Sequence, residues 1–501
     1  MLFKTLTNKG IMYNIFADNK IEALWFRDLS IYLKDATIVK ISKRGQNPTE
    51  IEKLILYDRP DIILCRNNIP FLVLEKTREV PTGHNVGQRM ARLVQAAENG
   101  LITIYFLPYD AKKHGRNTNI CNLNIRLLKA IIALASHTKS MVLAFNWICD
   151  SFNELIDDGT ENASVKDFLS SVLIGTQGEI ANKYLFYANE MNEDYNKRLV
   201  LNPIYANPPP SVEITDSMLN WKNNHYSLPD SKALIYKIEM EPNPKSLKRQ
   251  DPYTGMQFLY YYLYCKQNIS KTEDLKFCFY FPKITKILWT KTNPFNVNTK
   301  MSNWYLCADF FIFTDGVLKN NSKEIRTQLN LTIYNKQSIN LSDKFLVPSF
   351  GTEEIVYLET KKYLKAKNYT ILGGQPPKGC DHLPVIEVKD PAYLKKGSKG
   401  SFKPDLVVYK NKTVLLIECK PKYNHSDYIK LLQIKNSAGR KNAILDELDQ
   451  RSIFKRNKIN FNKDFIVEVG LAYSTDSQTN EPQSELKTFF ISKQLPVKEF
   501  N

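Results

Sequence analysis

The chain has 501 residues, of which 43% are hydrophobic and 24% charged, as expected of a globular protein with material for about two to four domains. Lysine and arginine (69) outnumber aspartate and glutamate (52), and the resulting formal charge of +17 fits a polyanionic partner, most simply nucleic acid. The eight cysteines form no CxxC pair and the histidines no cluster, which argues against zinc and disulfide frameworks. With no apolar run of membrane-spanning length and no signal-peptide pattern, a cytoplasmic protein with no membrane partner is expected.

Taken in order, apolar residues at Ile21, Leu24, Trp25, Leu29 and Tyr32 predict an amphipathic helix over 21–33, entered through Asp18 or Asn19 and carrying Glu22 near its start. A strand is expected over 36–41 and a second short element over 51–57. Residues 59–77 then read RPDIILCRNNIPFLVLEKT. Asp61 opens one apolar run, Asn67-Asn68 marks a turn, and Glu75 closes the returning run, so a hairpin brings the two carboxylates together. Lys76 is adjacent to Glu75, but strand alternation points it to the other face, and Thr77 shares the face of Glu75. A tight loop containing His84 follows. The next helix is predicted over 85–99, closed by Gly100, with Gln88, Arg89 and Arg92 on it. A buried strand over 101–107 and a largely helical stretch over 123–148 complete this part.

Near 201 the proline-rich run Asn207-Pro208-Pro209-Pro210 marks a boundary. From 201 to 348 the chain is rich in aromatics, with basic residues such as Lys245, Lys248 and Arg249 between them. Lys245 to Arg249 read as a phosphate-contacting cluster and Tyr260 to Tyr264 as helix core.

A helix over 352–367 with Glu353 and Glu354 in its first turn opens the last part, and a strand follows over 369–372. A lysine-rich loop leads into residues 403–422, KPDLVVYKNKTVLLIECKPK. This too reads as a hairpin. Asp405 opens its first strand, residues 410–413 turn, and Glu418 closes the second with Lys420 on the same face. A long basic helical region over 425–450 holds Lys430, Gln433, Lys435 and Arg440, interrupted near Gly439. Strands over 465–473 and 488–491 close the chain.

Pro404, Asp405, Glu418 and Lys420 resemble the motif of the PD-(D/E)xK nuclease superfamily, with twelve residues between the acids. Pro60, Asp61 and Glu75 resemble it a second time, with thirteen between the acids and Thr77 in place of the lysine. The resemblance implies an α/β (α+β, mixed-sheet) fold with nuclease modules over 1–200 and 349–501, and the region between them, 201–348, is then expected to recognise the target. It implies Mg²⁺, or Mn²⁺ in its place, held by Asp405, Glu418 and the Cys419 carbonyl, and by Asp61 and Glu75 in the first module. Glu22 and Glu354 are weaker candidates for a second metal. Lys420 is assigned to the attacking water and the phosphate, and Gln88 to the metal or the scissile phosphate. The implied activity is that of a type II restriction endonuclease acting on double-stranded DNA, one site per strand. The alternatives are a sequence-nonspecific repair or anti-phage nuclease, or one catalytic module beside a degenerate one. No GxxxxGK[ST] run is present, so a nucleotide cofactor is not expected.

Overall fold

The computed structural model describes residues 11–43, 45–77, 87, 89–112, 120–224, 226–247, 253–266, 275–292, 304–320, 352–377, 381, 383–389, 401–462, 464–474, 485–491 and 497–500. These form an α/β protein built on three main mixed sheets of six, five and six strands.

The first sheet collects β1 (Tyr13–Ala17), β2 (Thr37–Lys40), β3 (Ile62–Arg66), β4 (Ile69–Lys76), β5 (Ile102–Leu107) and β6 (Val142–Asn146) in the order β2-β1-β3-β4-β5-β6. β3 and β4 are the expected hairpin. Asn67 and Asn68 both take positive φ, 50° and 69°, the conformation that a two-residue turn between right-twisting strands requires. β4, β5 and β6 run parallel. One face is covered by α1 (Lys20–Asp28), with Phe26, Phe106, Phe145 and Trp147 in its core. The other is covered by α2 (Thr49–Leu54), α3 (Met90–Glu98) and α4 (Ile125–Thr138). Two further helices, α5 (Ala163–Ile174) and α6 (Gln177–Leu201), follow, the second opened by a Thr176–Glu179 capping box.

The central sheet runs β11-β10-β9-β8-β7, from β7 (Val212–Thr215), β8 (Ala233–Lys237), β9 (Lys276–Tyr280), β10 (Phe310–Phe313) and β11 (Gly316–Lys319). Between β8 and β9 lies α7 (Tyr253–Tyr260), which continues into a π-helical turn over Tyr261–Cys265. Tyr260 and Tyr262 are buried. Leu93 and Leu128 from the first module share one hydrophobic core with Phe258, Phe279 and Trp304 from the central one, so the core crosses the boundary at 201.

The third sheet is built after α8 (Thr352–Ala366). Its strands β12 (Thr370–Gly373), β13 (Leu406–Lys410), β14 (Thr413–Lys420), β15 (Ile466–Ser474), β16 (Lys487–Ile491) and β17 (Lys498–Phe500) stand in that order across the sheet. Helices α9 (His425–Lys435) and α10 (Ala438–Gln450) lie between β14 and β15. The hairpin residues divide by alternation. Leu406, Val408, Leu415, Ile417 and Cys419 face α8, and Val407, Val414 and Leu416 face α9 and α10. Asn411 and Lys412, both at positive φ, form the turn. At Gly374, φ 148°, an added Cβ would lie 2.3 Å from the Asp405 carbonyl oxygen, so only glycine lets the chain pass the start of β13 this closely. The strand directions repeat those of the first sheet: an antiparallel hairpin whose second strand pairs in parallel with the next.

Several expected elements change. Tyr13–Ala17 is a strand that periodicity missed, because all five residues are buried and no alternation shows. The short element over 51–57 is a helix. The stretch over 123–148 holds the expected helix, Ile125–Thr138, but ends in a strand, Val142–Asn146, the two separated where Lys139 takes positive φ. The basic helical region breaks at Asn436-Ser437, where Ser437 caps α10, and Gly439 lies inside that helix. Gln88, His84, Lys248 and Arg249 lie outside the described residues. Among the described residues no helix is long and apolar enough to cross a membrane.

Candidate active site

The hairpin β13–β14 places Asp405 one residue before β13, beside Glu418 near the end of β14. The Cys419 amide donates to Asp405 Oδ2 at 2.7 Å and fixes that carboxylate against the strand. Lys420, two residues beyond Glu418, emerges on the same face. Its ammonium stands 3.2 Å from Glu353 Oε1, 3.5 Å from Glu418 Oε2 and 3.6 Å from Asp405 Oδ2. Lys430, from α9, closes the other side at 3.1 Å from Glu418 Oε1, and the same ammonium lies 4.4 Å from the centre of the Phe402 ring. Asp405 and Glu418 are buried, and both lysines reach solvent.

Burial, and then the negative charge of Glu418, push the Asp405 carboxyl up to about 8. Two such acids side by side favour positive charge between them. Burial opposes the charge on Lys420, but Asp405, Glu418 and Glu353 together outweigh it and hold the ammonium protonated. The donor set is hard oxygen, and Mg²⁺ binds through one or two carboxylates with water completing its shell, so these residues fit it. Among the described residues no group of three or more His, Cys, Asp or Glu side chains gathers as a metal site.

Lys430 and Glu353 were not among the expected site residues. Glu354, which was, is buried, while its neighbour Glu353 meets Lys420. Gln433 accepts a hydrogen bond from Arg440 at 3.4 Å, and Lys435 binds the Glu485 carbonyl.

The first hairpin reproduces the frame with a different filling. The Lys76 amide donates to Asp61 Oδ2 at 2.7 Å, as Cys419 does to Asp405. Arg89 and Arg92 each donate to Glu75 Oε1 at 2.7 Å, and Arg92 also reaches Asp61 Oδ1 at 3.4 Å and Asp58 Oδ2 at 2.9 Å. Burial raises Glu75 to about 8 and Asp61 to about 7, while the arginines pull the other way. Glu22, buried on α1, is raised to about 7 by burial, with Lys76 pulling it down. Lys76 lies on the opposite face from Glu75, its ammonium 3.6 Å from the Trp25 ring centre and 4.9 Å from that of Trp147. Thr77 brings no charge to the site. The carboxylates here already hold two cations, so this donor set does not fit a divalent metal.

In comparisons with known proteins, no family model, curated protein or solved structure matches this chain.

Proposed function

We propose that this chain is a metal-dependent endonuclease of PD-(D/E)xK type acting on double-stranded DNA, with its centre at Asp405, Glu418 and Lys420. One observation supports this above the others. A hairpin with a two-residue turn converges two buried carboxylates and one ammonium, and a backbone amide pins one of the acids. The +17 charge favours the phosphate backbone as partner. Asp405, Glu418 and the Cys419 carbonyl would hold Mg²⁺, which when bound supplies charge neutralisation and an acidified water.

The chain's own residues have separable tasks. Lys420, fixed by three carboxylates, is positioned to hold the attacking water and a phosphate oxygen. Lys430 holds Glu418 in place and adds positive charge toward the strand being cut. The hydrophobic flank of Leu406, Ile417 and Cys419 keeps the carboxylates from drifting, since each strand is buried on both faces. Type II restriction activity is the specific form proposed.

Purified protein incubated with plasmid DNA and Mg²⁺ tests the reading. Discrete fragments establish a restriction enzyme and a smear a sequence-nonspecific nuclease. Intact plasmid in both Mg²⁺ and Mn²⁺, or full cleavage in EDTA, sinks the proposal.

A further inference from the structure

We infer that the N-terminal module is a cleavage-incompetent copy in which Arg89 and Arg92 take the place of the cation, leaving one cutting centre per chain. The inference deepens the nuclease reading and rests on it for the C-terminal centre. All four oxygens of the Asp61/Glu75 pair are engaged. Asp61 Oδ1 meets Arg92, and Asp61 Oδ2 accepts from the Lys76 amide. Glu75 Oε1 accepts from both guanidiniums, and Glu75 Oε2 from the Asp61 amide at 3.3 Å. The Glu75 side chain has no solvent exposure.

The C-terminal site differs in kind. Its carboxylates face ammoniums, compact charges on flexible stems that can swing aside. A guanidinium is planar, permanently charged and held by several hydrogen bonds at once. A metal entering the Asp61/Glu75 pair would have to displace both guanidiniums from a carboxylate that is itself fully buried, which breaks two ion pairs at once. Thr77 removes the remaining reason to do so, since no ammonium waits for the water.

The clamp has another use. α3 begins just after Arg89 and carries Arg92, and it ends at Glu98, whose carboxylate accepts from Tyr57 at 2.9 Å and from Tyr262 of the central region at 2.6 Å. The helix is thus pinned to the hairpin at one end and to the central region at the other. The module serves as the platform on which the central sheet is mounted, and the shared core across the two agrees with this.

Mn²⁺ binding to the full chain tests the inference without relying on cleavage. Free Mn²⁺ is followed by its paramagnetic resonance signal in wild type and in the double variant Asp405→Asn/Glu418→Gln, whose N-terminal module is untouched. The expected result is loss of all bound Mn²⁺ in the variant, with its circular dichroism spectrum unchanged. A variant that still binds one equivalent overturns the inference. If wild type itself binds none, the nuclease reading falls and the arginine clamp is upheld. Plasmid nicking gives a second reading, independent of metal counting. Asp405→Asn should leave supercoiled DNA uncut, whereas nicked circles cut on one strand would reveal a second working centre and overturn the inference.

Discussion

At the level of single residues, the C-terminal site makes two predictions that separate chemistry from scaffolding. Lys420→Ala removes the ammonium shared by three carboxylates, and turnover should fall by roughly 10²–10⁴-fold, the usual contribution of a group acting on the proton inventory of a reaction. Lys430→Ala, measured beside it in single-turnover assays, should cost less, because among the described residues Lys430 pairs with a single carboxylate, Glu418. Equal losses would mean that Lys420 does no more than position a carboxylate. The second prediction concerns pH. Asp405 is raised from an ordinary value of 3.8 to about 8 in the folded chain. Stability that is intact below about pH 4 is therefore lost as pH rises through about 8, because the unfolded chain ionises first. Metal-free protein should melt at progressively lower temperature from pH 5 to pH 8. Mg²⁺ should restore the loss at pH 8 and do little at pH 5. A metal-free melting curve flat across that range would show that Asp405 is not held protonated. The acids and Lys420 were readable from strand alternation alone, which fixes the face of every residue once the strand is known. Glu353 and Lys430 were not, because a helix presents its residues at 100° steps and sequence does not give its rotation about its own axis. That uncertainty is enough to exchange Glu353 for Glu354.

At the level of elements, the two hairpins share a frame and differ in what fills it. Both turn on two residues at positive φ, Asn67-Asn68 and Asn411-Lys412, and both use the amide after the glutamate to hold the aspartate. The asparagines and the flanking apolar runs made these hairpins visible in the sequence, because turn chemistry and β-branched composition are local. Tyr13–Ala17 escaped notice because burial on both faces erases alternation. The central sheet escaped because its parallel strands are joined through a helix over long sequence gaps, which no local pattern encodes. The clamp gives this scale its own prediction. Glu75→Ala removes the carboxylate that two partly exposed guanidiniums share, while Arg92 keeps Asp58 and Asp61, and should destabilise the N-terminal module by about 1–3 kcal/mol. Denaturant unfolding followed by the fluorescence of Trp25 and Trp147 checks this, and a change under 1 kcal/mol would show that the pairs are worth no more than surface ones. Periodicity predicts a helix that carries both Arg89 and Arg92, and the helix found carries Arg92, with Arg89 immediately before it. Their attachment to Glu75 depends on how that helix packs across the sheet.

At the level of the whole molecule, the proposal of one cutting centre per chain and the formal charge of +17 together make predictions about DNA. Affinity for duplex DNA should fall steeply between 50 and 200 mM salt as condensed counterions cease to be released. Fluorescence anisotropy with a labelled duplex measures it, and a flat salt dependence would count against the phosphate backbone as partner. Linearisation of plasmid should also rise more steeply than in proportion to protein concentration, because the second strand needs a second Asp405 centre, while nicking should stay proportional. Proportional linearisation would mean that one centre cuts both strands in turn.

The contacts between the last module and the first have a consequence in time. Arg451 of the C-terminal module is buried against Glu154 at 3.0 Å, and Arg456 donates to the Leu155 carbonyl at 2.6 Å and pairs with Asp150. Glu154 leaves the ribosome 297 residues before Arg451. At about 5–20 residues per second it waits roughly 15–60 s for its partner. Through that interval the carboxylate stands in water, and the first module must be stable without it. The seam can close only after Asp405, Glu418 and Lys420 have been synthesised, so its closure is a late event in the folding of the chain.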